Sequence, residues 1–182
     1  MRLFAGLPLP PDTALAVERW TAEGRRRFPR LGWVAASLLH ISLHFFGEVP
    51  EDRAGELAED LGGMRGAAIR ARTGEAGRFP PGRGAPPRVI YLGFEQGAAE
   101  VSALQARYAS RVAALGHRLE DRPFVPHLTL ARVRRPEPGL ELPAGGPELD
   151  FVFDRIVLYQ SILGSRGPEY RALRTVTLEA AL

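Results

Sequence analysis

Cysteine is absent from the 182 residues, and so is lysine: all 24 basic residues are arginine. The first absence excludes a disulfide scaffold, a thiolate zinc site and a cysteine nucleophile. The second removes Schiff-base chemistry, a phosphate-loop lysine and a lysine general base, and with them Walker-type ATP use. Long apolar runs are missing too. Nothing approaches the roughly 20 apolar residues of a membrane span, and Met1–Pro10 lacks the basic-then-apolar layout of a signal peptide, so a cytoplasmic protein with no membrane contact is expected. Nor does one sign of charge dominate: 21 acids against 24 arginines leave +3, too little for tight tracking along a nucleic acid. What remains for chemistry is histidine, serine, threonine, arginine and carboxylates. At 45% hydrophobic residues, the chain can bury the core of one ordinary domain.

Arg2–Leu7 is an apolar run halted by Pro8, Pro10 and Pro11, which reads as a strand and a turn. Asp12 then caps a helix whose face is Leu15, Val17, Trp20 and Phe28, ended by Pro29; Arg25–Arg27 lie on its last turn, where cations complement the helix dipole. Leu38–Phe46 is a strand, Glu51–Met64 a helix and Ala67–Thr73 another strand. Gly74–Pro87, with four glycines and four prolines, reads as a loop. Arg88–Phe94 starts a new strand, Ala98–Leu115 an amphipathic helix, and Pro123–Pro126 lead into a strand over His127–Val133. Phe151–Ile162 and Tyr170–Leu178 are two long strands joined by a turn at Gly164–Pro168.

The two halves repeat. Strand, amphipathic helix and histidine-led strand follow in the same order, with 86 positions from Arg2 to Arg88 and 87 from His40 to His127. A duplicated unit packs about a pseudo-two-fold axis, which makes its equivalent residues face one another across a cleft. The repeated strands read His40-Ile41-Ser42-Leu43 and His127-Leu128-Thr129-Leu130. Side chains alternate along a strand, so each histidine shares a face with its hydroxyl partner while the apolar residues point to the core. One such motif is weak; two at equivalent places, using two of only four histidines, point to a paired imidazole site. By the same alternation His44 joins the face of His40 and Ser42, where it is expected as a solvent-facing residue and not as a metal ligand, having no third ligand nearby. His117, after Gly116, is expected at the surface beyond a helix end.

These motifs resemble the 2H phosphoesterases, and within them the RNA 2',3'-cyclic phosphodiesterases, once called 2'-5' RNA ligases. The resemblance covers almost the whole chain: Leu3-Phe4-Ala5, Leu39–Leu43 followed by Phe46-Gly47-Glu48-Val49, Arg122-Pro123-Phe124 leading to Pro126–Leu130, and late Leu158-Tyr159 and Tyr170-x-x-Leu173. Ser42 departs from the family's usual threonine, keeping the hydroxyl but losing the methyl that restricts its rotamer. The resemblance implies an α+β fold of two intertwined pseudo-symmetric lobes, each an antiparallel sheet with flanking helices, forming one domain over 1–182 around a central cleft. It implies His40 as proton donor to the leaving 3'-oxygen and His127 as the base that activates water, giving a 2'-phosphomonoester. Arg132, five residues beyond His127, matches an arginine the family often carries there.

The chemistry agrees with such a site. Hydrolysis of a cyclic phosphodiester needs one group to deprotonate water and another to protonate the leaving oxygen, and imidazoles with an ordinary pKa of about 6.5 supply both states near neutrality. No metal or other cofactor is required. Ser42 and Thr129 hydroxyls and the Arg132 guanidinium suit the phosphate oxygens, and Phe46, Phe124, Tyr91 and Tyr159 are the candidates for stacking on a base. The expected partners are RNA ends or nucleotides carrying a 2',3'-cyclic phosphate, bound by a monomer. Three other readings stay open: an ATP-independent 2'-5' RNA ligase, a phosphodiesterase of small cyclic nucleotides using the same groups, and a non-catalytic module that grips RNA ends.

Overall fold

The computed structural model describes residues 1–82, 84–141, 145–165 and 167–179; Arg83 of the expected loop, Arg166 of the expected turn and the last three residues of the 1–182 span lie outside them. The elements are β1 (Arg2–Pro8), α1 (Pro11–Trp20), α2 (Ala22–Arg27), β2 (Gly32–Trp33), a 3-10 turn (Ala36–Leu38), β3 (His40–Glu48), α3 (Glu51–Gly62), β4 (Ile69–Phe79), β5 (Val89–Gln96), α4 (Ala98–Ala114), β6 (Leu128–Arg132), β7 (Asp150–Phe153), β8 (Arg155–Gly164) and β9 (Gly167–Thr177). They form two antiparallel sheets, of order β3-β1-β8-β9 and β2-β6-β5-β4-β7. The expected α+β architecture of two sheets with flanking helices is what the chain adopts.

The duplication is visible in strand order. β1 sits between the histidine strand β3 and β8, as β5 sits between the histidine strand β6 and β4. The halves interlock, because the C-terminal hairpin β8–β9 completes the first sheet and β2 adds to the edge of the second through Gly32 opposite Arg132 and Trp33 opposite Ala131. The apolar faces of both sheets and the helices α1, α3 and α4 share one contiguous core, in which Leu3, Leu7, Ile41, Leu92, Leu128 and Phe153 are sealed from solvent. Strands β3 and β6 meet at the boundary of the sheets.

Several expected boundaries shift. The first helix divides at Thr21, a buried residue whose hydroxyl bonds the carbonyl of Glu18 at 3.0 Å and accepts from Arg25 Nε at 3.0 Å. Such a side chain competes with the helix ladder. Its buried face is Ala14 and Val17, while Leu15 is 47% exposed. The arginines at the end of α2 do more than complement a dipole: Arg25 donates to the carbonyl of Val34 at 2.7 Å and lies over the Trp33 ring. The glycine-rich stretch from Gly74 does not begin a loop; β4 continues to Phe79, paired with β5. The span Phe151–Ile162 is two strands in different sheets, because the chain breaks at Asp154, between buried Phe153 of β7 and Ile156 of β8.

Candidate active site

The turn Ala36–Leu38 delivers His40 to the start of β3. Its Nδ1 lies 2.7 Å from the carbonyl of Leu38. A carbonyl only accepts, so Nδ1 carries a proton and Nε2 is the nitrogen available for chemistry. Nε2 lies 2.9 Å from Ser42 Oγ, a hydroxyl that donates to the neutral ring. The imidazole is walled by Phe4, at 4.8 Å between ring centroids, and by Tyr170 edge-on at 5.4 Å; Phe4 in turn stacks on Tyr159 at 5.1 Å. Burial among these rings is the main reason that the pKa of His40 is pushed down to about 4, with the charges of Arg132 and His127 acting in the same direction and the Leu38 hydrogen bond opposing them. A pocket of about 220 Å³ opens beside the ring, with Leu38, Tyr159, Glu169 and Tyr170 among its walls.

The second histidine repeats this arrangement. His127 Nδ1 lies 2.7 Å from the carbonyl of Val125, again two residues upstream, so its Nε2 is likewise left for the cleft. Phe79 and Tyr91, stacked on each other at 4.4 Å, present their rings edge-on to it at 5.0 and 5.5 Å. Tyr91 needs Gly77 opposite it on β4, since a Cβ there would stand 2.3 Å from the tyrosine Cζ. Burial again lowers the histidine's pKa, Arg132 adds to the effect, and Glu120 and the Val125 bond oppose it.

Both histidine strands carry the same irregularity. On β3, Ser42 pairs with Gly6 and His44 with Ala5, which leaves Leu43 as an extra residue. On β6, Thr129 pairs with Tyr91 and Ala131 with Ile90, which leaves Leu130. These leucines are themselves 87 positions apart. A bulge reverses the alternation beyond it, so His44 and Ala131 are buried while Phe45 and Arg132 emerge on the exposed side. Helix α4 supports the first bulge, Gln105 Nε2 donating to the Leu43 carbonyl at 3.3 Å. Arg132 thereby becomes a cation of the cleft: its charge adds to the lowering of the pKa of both His40 and His127.

The same bulge corrects the expectation for His44. It is not solvent-facing with His40 but 6% exposed, edge-on to Phe46 at 4.6 Å, and burial lowers its pKa. Phe46 also meets Tyr108 and His117. Thus Phe46 belongs to this cluster and is not among the rings that wall His40 and His127, and His117 is half-buried against it instead of lying on the surface. Phe124 packs, partly buried, against the core. Of the four aromatics singled out in the sequence, Tyr91 and Tyr159 stand in the two histidine settings. Phe4, Phe79 and Tyr170 were not singled out there; their contacts depend on strand pairing, although Phe4 and Tyr170 lie within the segments that carry the family resemblance.

The fold and the site define a class: a two-sheet duplicated protein with a His-x-Ser/Thr strand from each half at one cleft. The profile of the 2'-5' RNA ligase superfamily matches residues 9–163, and the chain belongs to that family. Among curated relatives, the RNA 2',3'-cyclic phosphodiesterase of Aeropyrum pernix is 35% identical over 147 residues, covering 75% of this chain and 80% of its own length. That of Thermus thermophilus is 32% identical over 199 aligned residues, covering 98% and 90%. The chain spans only 57% of the Geobacillus stearothermophilus relative's length. Among solved structures, TT0787 of Thermus thermophilus superposes with a TM-score of 0.82 at 30% identity over 99% of both chains, and Escherichia coli LigT complexed with 3'-AMP with 0.83 at 27% over 97% of both.

Proposed function

We propose that this chain is an RNA 2',3'-cyclic phosphodiesterase that opens the cyclic phosphate to a 2'-phosphomonoester by a metal-independent, two-histidine mechanism. The names of its relatives support the activity. The observation that carries the mechanism is the repeated tether: each histidine Nδ1 is fixed by the carbonyl two residues upstream, leaving two Nε2 atoms for one substrate. His127, neutral in the free protein, takes a proton from water. His40 gives a proton to the departing 3'-oxygen. Its pKa, held low mainly by burial and further by Arg132, rises when an anionic phosphate binds beside it. Arg132 and the hydroxyls of Ser42 and Thr129 hold the non-bridging oxygens as charge builds on them. The pocket beside His40 takes the terminal base against Tyr159 and Tyr170.

The test is incubation in EDTA with an oligonucleotide ending in a 2',3'-cyclic phosphate, followed by identification of the product. A 2'-phosphate formed at undiminished rate is expected. A 3'-phosphate would contradict the leaving group, loss of activity in EDTA would contradict metal independence, and tight binding without turnover would return the chain to the class of RNA-end binding modules.

A further inference from the structure

We infer that the groove beside Phe45 binds the RNA immediately upstream of the reacting end, with Phe45 as a stacking platform; this rests on the phosphodiesterase reading above. Phe45 is to β3 what Arg132 is to β6. Each follows its bulge by two residues, and the two are separated by the same 87 positions as the histidines. Phe45 pairs with Phe4, whose ring walls His40, so Phe45 lies on the side of the sheet that faces the substrate, and it is 44% exposed. The Phe45 ring is thus partly open to solvent on that side, whereas its neighbour Phe46 is taken up by the cluster with His44, Tyr108 and His117. The guanidinium of Arg2 lies over one face of the Phe45 ring, 5.1 Å from its centroid, which leaves the opposite face for a base.

Phe45, with His44 and Phe46, forms one wall of a groove of about 470 Å³ whose other wall is the segment from His117 to Arg122. Arg118 is occupied with Asp121 at 2.8 Å, and Glu120 acts on both His44 and His127; among the described lining residues this leaves Arg122 as the cation for a phosphate, with Arg2 beside the groove over the Phe45 ring. Glu120 on that segment acts electrostatically on His127, which sets this wall of the groove beside the cleft. Five residues of bulged strand separate His40 from Phe45, roughly 15 Å. A nucleotide with its cyclic phosphate between the histidines and its base in the pocket beside His40 does not span that distance; the nucleotides before it do. With acids and arginines mixed along the groove, its contribution comes from stacking, which is tolerant of base identity.

The experiment compares kcat/KM for a trinucleotide ending in a 2',3'-cyclic phosphate with that for a 2',3'-cyclic mononucleotide, in the native chain, Phe45→Ala and Phe45→Tyr. The native chain is expected to favour the trinucleotide by about 10-fold or more. Phe45→Ala is expected to erase that advantage through KM while Phe45→Tyr keeps it. Equal use of both substrates by the native chain, or an equal loss on both in Phe45→Ala, overturns the inference. Failure to cleave either substrate overturns the phosphodiesterase reading and the inference with it, an outcome distinct from the other two.

Discussion

The two histidine strands are built alike and furnished differently. Both tether Nδ1 to the carbonyl two residues upstream, and both bulge at the leucine that follows the hydroxyl residue. Opposite Ser42, however, stands Gly6, and opposite Thr129 stands Tyr91. Beyond the bulge one strand presents Phe45 and the other Arg132. The first setting holds an imidazole shifted to about 4 by burial and bonded to Ser42; the second strand carries Arg132, whose charge acts on both histidines. Duplication supplies two equivalent groups, and divergence around them gives the two imidazoles different surroundings.

The sharpest way to break the comparison is to remove one histidine at a time. His40→Ala and His127→Ala are each expected to lower kcat by about 10²–10⁴-fold, and the double variant to be little worse than either, since the pair acts as a unit. Circular dichroism should show both folded. Full turnover by His127→Ala would end the two-histidine account. Next comes Arg132→Gln, expected to cost about 10²-fold in kcat/KM. Because Arg132 lowers the pKa of both histidines, its removal should also move the pH profile upward; a profile unmoved would place Arg132 away from them.

A smaller effect separates the lobes by packing. Gly77→Ala thrusts a methyl at Tyr91 and should destabilise the fold by about 1–3 kcal/mol and disturb the His127 side. Gly6→Ala, whose Cβ would stand 2.7 Å from the Ile41 carbonyl oxygen and 3.1 Å from His40 Cδ2, should push β3 away and disturb the His40 side instead. Equal activity in both variants and the native chain would show that these walls do not position the rings. Stability itself should respond to acid. His40 has a folded pKa below its unfolded value, so the unfolded chain binds the proton first, and stability falls as pH drops from 6.5 towards about 4. The loss is up to roughly 3 kcal/mol, levelling below the folded value. Urea titrations of the native chain and His40→Gln across that range should differ in slope by this contribution.

Much of the site was legible in the sequence because it is written twice: His40 and His127, Ser42 and Thr129 sit at one offset, and a repeated motif needs no structure to be seen. Arg132 was legible only through the family resemblance, for strict alternation would have turned it away from His127. The bulges that re-aim Arg132 and Phe45, and that bury His44, arise from pairing with β1 and β5, a register no single strand encodes. The same limit explains why Phe46 stood out and Phe45 did not. In the fold, the apolar runs marked most strands. The passage through Asp154 from one sheet to the other, and the continuation of β4 through Gly74 and Gly77, depend on partners distant in the chain, among them the tyrosine that Gly77 makes room for.

The central claim is that one neutral and one protonated imidazole act together in this cleft. It is tested most directly by kcat/KM for a 2',3'-cyclic phosphate across pH. Since both histidines titrate below 6.5 in the free protein, the profile should be a bell whose alkaline limb falls below that pH and whose acid limb approaches 4. A rate independent of pH over this range, or one that climbs steadily into the alkaline, would contradict it.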